Sequence, residues 1–259
     1  MKTLPKIMVA PNGARKLKAD HPAIPLSISE TVETAVACYH AGATGLHLHV
    51  RNPDGSHSLD AQLYKQALAE LNIAVPELDI QITTESVGQY TPAQQRQVVT
   101  DVAPQSVSVS LAEMLSEGIT LKALNFYKQC HNDGIAVQHI LYGQDDLTAL
   151  SRLLDSHSIS ADGLQLLFVL GRYTQNQQSS PADLNPFLAW MNKSSISADW
   201  ALCAFGTQET ACLYKGFVEG GKARVGFENS FSNEDGSLAI DNAQRVAEVK
   251  SKLTSMERH

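Results

Sequence analysis

The chain has 259 residues, 43% hydrophobic and 18% charged, enough to bury one large core or two small ones. Its formal net charge of −7 gives no basic surface for nucleic acid. No stretch approaches the length that spans a bilayer, and the apolar run Ile7–Ala10 is too short for the hydrophobic region of a signal peptide, so the reading is a cytoplasmic protein that acts on no membrane.

Along the chain, a short apolar or β-branched run is followed by Gly, Pro, Asn or Asp and then by a segment of helical periodicity. Strands are predicted at Ile7–Pro11, Gly45–Val50, Asp79–Thr84, Ser106–Ser110, Ile135–Leu141, Leu164–Leu170, Trp200–Phe205 and Ala223–Phe227. Helices are predicted over 30–41, 60–73, 119–132, 145–156, 207–219 and 239–253, several of them stopped by Gly42, Gly134 or Gly220. Two more helix starts stand out: Thr91-Pro92-Ala-Gln94 and Ser180-Pro181-Ala-Asp183 each place a capping hydroxyl before a first-turn proline.

This alternation implies a parallel sheet, and eight cycles in this length predict an α/β fold, a closed (β/α)₈ TIM barrel, as a single domain over residues 1–259. The first turn, Pro11-Asn-Gly13-Ala-Arg15, is no dinucleotide loop. The Ser-, Asn- and Gln-rich stretch Thr174–Ser180 reads as one loop, not a linker. Cys38, Cys130, Cys203 and Cys212 form no Cys-x-x-Cys pair and read as buried structural thiols.

The most informative feature is His47 and His49, in Leu46-His-Leu-His-Val-Arg-Asn-Pro-Asp-Gly55. Side chains two apart on a strand share a face, so both imidazoles leave one side of a strand just before a turn. Glu228, in Arg224-Val-Gly-Phe-Glu-Asn-Ser230, also follows a short apolar strand. In a closed barrel the second and eighth strands flank the first, which brings His47, His49 and Glu228 together at the C-terminal mouth. Two histidines and a carboxylate leave coordination positions open, the mark of a catalytic metal site; zinc leads, with ferrous iron or another divalent metal as the alternative.

Asn12-Gly-Ala, His21-Pro-Ala-Ile-Pro25, Ala41-Gly-Ala43, His47-Leu-His-Val-Arg51, Asp54-Gly55, Phe168-Val-Leu-Gly171 and Arg224-Val-Gly-Phe-Glu228 occur in this order over nearly the whole chain. In these motifs the sequence resembles the β-keto acid cleavage enzymes. The resemblance implies a zinc-dependent barrel, an acyltransferase that condenses a β-keto acid with acetyl-CoA and cleaves the product to acetoacetate and a new acyl-CoA. It places His47, His49 and Glu228 on the zinc ligands and Arg224 on an arginine that positions a carboxylate or the transferring acyl group. It places Thr83, Ser86, Ser108 and Ser110 among substrate contacts, and it implies a homo-oligomer, with a tetramer as the candidate state.

The chain departs from that pattern at several positions. Asn229 stands where an aspartate would take the substrate's proton, and an amide is no general base. Glu85 stands where the family has glycine; with His139 or a metal-bound hydroxide, it is a candidate replacement base. Arg15 stands where a glutamate would hold an ammonium group, which favours an anionic substrate tail, with Lys16 and Lys18 assisting. The fifth strand carries Gln138-His139-Ile140 in place of acidic side chains. Arg51 and Asp54 read as fixing the loop after the zinc strand, and His21, His57, His131 and His157 receive no role. Two alternatives stay open: a metal-dependent retro-aldol or hydrolytic enzyme without CoA, and an inactive metal-containing ligand-binding barrel.

Overall fold

Strand and helix alternate from one end of the chain to the other. The computed structural model describes residues 3–256. Its first half runs β1 (Ile7–Val9), α1 (Ile28–Ala41), β2 (Gly45–Leu48), β3 (Val50–Arg51), β4 (His57–Ser58), α2 (Ala61–Ala74), β5 (Asp79–Thr83), α3 (Pro92–Val102), β6 (Ser106–Ser110) and α4 (Leu111–Met114). Its second half runs α5 (Leu121–Asn132), β7 (Ala136–Leu141), α6 (Gln144–Asp155), β8 (Gln165–Leu170), α7 (Asn185–Ser194), β9 (Asp199–Ala204), α8 (Glu209–Val218), β10 (Lys222–Val225) and α9 (Asn242–Met256). Eight parallel strands close in the order β1-β10-β9-β8-β7-β6-β5-β2, a (β/α)₈ barrel in which β1 pairs with both β2 and β10. No described helix is long and apolar enough to cross a membrane.

The predicted caps form. Thr91 and Gln94 make a reciprocal capping box at α3, as Ser27 and Glu30 do at α1. Gly42 ends α1 at φ +115°, a conformation that a side chain at this position would strain. The second proline start differs from expectation: Pro181–Leu184 is a 3₁₀ turn, and α7 follows from Asn185.

The sequence also merged two elements. The predicted second strand ends at Leu48, and after His49 the chain enters an antiparallel hairpin, β3 with β4. The Pro53-Asp54-Gly55 turn drives this: Asp54 accepts from the Ser56 amide and hydroxyl, and Gly55 sits at φ +84°. Arg51 fixes the loop as expected, donating to the carbonyls of Asn12, Gly13, Lys16 and Gly55.

Strand parity then sorts the core. Leu46, Leu48, Ile82, Val107 and Val109 turn outward into the main core between sheet and helices. Inside the barrel, β7–β9 and the residue after β9 supply a second apolar cluster of Ile140, Leu167, Val169, Ala201, Cys203 and Phe205. The strands on the other side turn polar groups inward, among them His47, Gln81, Thr83 and Arg224, all buried.

Candidate active site

His47 is the inward residue near the end of β2, and His49 lies one step beyond it. Their Nε2 atoms are 3.0 Å apart. Glu228 comes from the loop after β10, which the Glu228 amide ties to the Ala10 carbonyl at 3.0 Å. That loop approaches the β1 turn so closely that a Cβ on Gly13, already at φ +59°, would lie 2.6 Å from Glu228 Cγ. Glycine in Asn12-Gly-Ala is therefore a condition for seating the carboxylate. Glu228 Oε2 lies 3.8 Å from His47 Nε2 and 3.6 Å from His49 Nε2.

The hydrogen-bond polarity around His47 follows from one backbone carbonyl. Leu166 O can only accept, and it does so from Gln138 Nε2 at 3.1 Å. Gln138 Oε1 then accepts from Gln81 Nε2 at 3.0 Å, which turns Gln81 Oε1 toward His47 Nδ1, also at 3.0 Å. His47 Nδ1 must carry its proton, leaving the Nε2 lone pair facing His49 and Glu228. Burial, then the Arg224 charge, pushes the His47 pKa down to about 3, and burial followed by the neighbouring His47 and His57 lowers His49 well below its usual range. Both rings are neutral, as a metal ligand requires.

These residues fit a divalent ion. Glu228 Oε2 is buried without a hydrogen-bond partner, although its other oxygen accepts from Arg224 Nη2 at 2.7 Å. A tetrahedral ion with bonds of about 2.0–2.1 Å separates its donors by about 3.3 Å, within the 3.0–3.8 Å span seen here. Burial raises the Glu228 pKa, but Arg224 and His47 outweigh it, so the carboxyl stays ionised.

One cavity opens beside this group. His47, Thr83, Ser110, Arg224, Glu228, Asn229 and the Glu85–Arg172 pair supply its polar lining. Arg224 keeps Nε and Nη1 buried, two donors without an acceptor among the described residues. Asn229, 4% exposed, also leaves its Oδ1 unpartnered. Glu85 pairs with Arg172 at 3.2 Å. Burial and the Glu228 charge raise its pKa to about 7 against the opposing pull of Arg172.

The other predicted positions divide. Thr83 lines the cavity, but its hydroxyl accepts from the Glu85 amide at 3.0 Å. Ser110 also lines it, while its hydroxyl caps α4 through the Glu113 amide. Ser108 is buried lower on β6 with an unpartnered hydroxyl. Ser86 lies outside the lining, its amide donating to Glu113 and its hydroxyl accepting from Gly88 N. Arg15 sits in the loop after β1 but is exposed and does not line the cavity; its charge reaches Glu85 and His57 from the rim.

Three expectations need correction. His139 is no candidate base: strand parity turns it out of the barrel, where its ring packs on Tyr127 at 5.2 Å. Lys18 is held by Glu30 and by the carbonyls of Pro22 and Ile24, and Lys16 donates to Phe227 O over the Phe231 ring. His57 is buried 5.4 Å from the His49 ring and contacts the Glu85 carbonyl at 2.7 Å, so it braces the loop after β5. The four cysteines are buried and free, as expected.

Sequence reasoning missed Gln81, Gln138 and Arg172. The glutamines were legible from parity: in Asp79-Ile-Gln-Ile-Thr83, a glutamine between two outward isoleucines must face the barrel interior. Arg172 follows Phe168-Val-Leu-Gly171 in a loop, where no periodicity signals direction.

A barrel with two imidazoles, a carboxylate and an unsatisfied arginine at its C-terminal mouth is built as a (β/α)₈ enzyme working at its strand ends. The chain belongs to the beta-keto acid cleavage enzyme family, whose model matches residues 6–259. It is 26% identical over 243 residues to the 3-keto-5-aminohexanoate cleavage enzyme of Acetoanaerobium sticklandii, covering 92% of this chain and 87% of that protein. It is 25% identical over 260 residues to the 3-oxoadipate:acetyl-CoA acetyltransferase of Cupriavidus necator, covering 94% and 86%. Among solved structures, ObcA in ternary complex with a C4-CoA adduct and oxalate shares the fold with a TM-score of 0.74 at 14% identity; the match covers 93% of this chain and 65% of ObcA.

Proposed function

We propose that this protein transfers the acyl group of a β-keto acid to CoA, using acetyl-CoA as co-substrate and releasing acetoacetate. The carrying observation is the buried, unsatisfied Glu228 Oε2 facing two neutral imidazoles, beside two unsatisfied donors of Arg224. His47, His49 and Glu228 are the residues that would hold a divalent metal, zinc first. When bound there, it supplies Lewis-acid polarisation to the keto and carboxylate oxygens of the substrate.

The chain's own groups account for the rest. Arg224, with Nη2 held by Glu228, keeps Nε and Nη1 to donate singly to substrate oxygens, in a site dry enough to strengthen each contact. Glu85 takes the proton from the carbon between the two carbonyl groups; its pKa near 7 suits a general base at neutral pH. That carbon attacks the acetyl thioester carbonyl and expels CoA thiolate. The thiolate adds to the original keto carbon, and cleavage releases R–CO–S–CoA. Protonated Glu85 returns its proton to the departing carbon, giving acetoacetate and restoring the enzyme. Asn229 cannot share the proton transfer, and its amide orients the substrate.

The test is a panel of β-keto acids incubated with zinc-loaded protein, with and without acetyl-CoA, following acetoacetate and new thioesters by mass spectrometry. Products that need acetyl-CoA support the reading. Turnover without CoA points to retro-aldol or hydrolytic chemistry, and binding without turnover to a ligand-binding barrel.

A further inference from the structure

The candidate metal ligands occupy one side of the barrel, from β2 and the loop after β10, centred on β1. Strand β7 stands four places from β1 in the closed sheet, directly across the mouth. There the cavity is lined by Ile140 of β7, Leu167 and Val169 of β8, and Cys203 of β9 with Phe205 beyond it. All five belong to the apolar cluster inside the barrel, separate from the core beneath the helices. Burial raises the Cys203 thiol to about 12, so it stays neutral and packs as a small hydrophobe. Tyr142 extends this wall toward the mouth.

Two ion pairs border this wall. Glu85 pairs with Arg172, whose guanidinium lies 5.5 Å from the Phe205 ring centroid. Arg224 pairs with Glu228. A carboxylate or ammonium on a tail that lies on Ile140, Leu167 and Val169 would lose its hydration against side chains that offer it no polar atom. Arg15, the residue whose sequence position suggested an anionic tail, is exposed and outside the lining.

We infer that the substrate is a β-keto acid with an uncharged, apolar tail, which lies on the Ile140–Leu167–Val169–Phe205 wall opposite His47, His49 and Glu228. The inference rests on the β-keto acid reading and names the substrate class for that site.

The test compares 3-oxohexanoate (neutral), 3-oxoadipate (anionic) and 5-amino-3-oxohexanoate (cationic), each with acetyl-CoA and zinc-loaded protein. Binding of the same acids without acetyl-CoA is measured in parallel by calorimetry. The neutral acid should exceed both charged ones in kcat/KM by about 100-fold and bind most tightly. Ile140→Glu should lower activity on the neutral acid and move preference toward the cationic one. Ile140→Val, a milder change that keeps most of the packing, should lower kcat/KM for the neutral acid by a few fold and narrow its lead over the charged acids. Neutral preference in binding with no turnover of any acid overturns the proposed reaction and leaves the tail assignment standing. Turnover or binding that favours either charged acid overturns the tail assignment and leaves the reaction standing.

Discussion

Replacing Glu85 with glutamine tests the part of the chemistry this chain arranges differently from its family's pattern. The carboxyl lines the cavity, 17% exposed, with its pKa raised to about 7 by burial and the nearby Glu228, against Arg172. As the base, it works only when deprotonated, so kcat/KM for the wild type should climb with pH and level off above about 7. Glu85→Gln should lower turnover by about 10²–10⁴-fold and abolish that acidic limb. Arg172→Met removes the opposing cation and should move the limb to higher pH. Stability supplies an independent reading. A carboxyl whose folded pKa is raised favours the fold while protonated, below its ordinary 4.5, and loses that contribution as pH rises through about 7. Over this window the wild type should lose up to about 3 kcal/mol relative to Glu85→Gln, in urea unfolding at pH 5 and pH 8. Loss of the Arg172 pair in the variant is independent of pH and cancels from the difference. Full activity with an unchanged acidic limb in Glu85→Gln would refute the assignment.

Four further outcomes follow from the same geometry. Purified protein should carry about one zinc per chain by elemental analysis, lost in His47→Ala and Glu228→Ala with the circular-dichroism spectrum retained. Gln81→Leu should weaken metal affinity by about 10–100-fold, because the His47 ring loses the partner that fixes its tautomer; equal affinity would show that the glutamine relay is incidental. Asn229→Asp should keep or raise turnover, and a large loss with metal retained would show that the amide has a role of its own. Arg15→Ala should raise the KM for acetyl-CoA, steeply so at low salt, without changing the choice among keto acids, since an exposed rim cation attracts a polyanion and touches no tail.

The barrel was legible because each strand–helix cycle announces itself twice, through an apolar run and through a cap or a stopping glycine. Gly42, Gly134 and Gly220 all take positive φ where the helices were expected to stop. What was not legible depended on a shift of one or two residues. Gly45–Val50 read as one strand, yet the chain leaves the barrel after Leu48 because the next turn folds Val50 and Arg51 against His57 and Ser58. Local pattern cannot separate an apolar run that stays in a sheet from one that crosses into a hairpin; the pairing partner decides.

The same contrast governs the site. His47, His49 and Glu228 could be brought together from sequence because barrel closure alone places β2 and β10 beside β1. Arg15 and His139 were hard to read because their positions were known while their directions were not. Arg15 has no neighbour in a regular element to set its orientation. His139 did: Gln138 and Ile140 on either side reach the barrel interior, so strand alternation sends His139 out to Tyr127. That alternation, applied to β7–β9, also reveals the apolar wall, since Ile140, Leu167, Val169, Ala201 and Cys203 occupy the inward positions of their strands. In most strands of an α/β barrel both faces are buried and both read as apolar, so composition alone hides which residues face a substrate. Here the polar residues act as the key, because a buried glutamine or histidine needs a partner, and that partner fixes the phase of its strand.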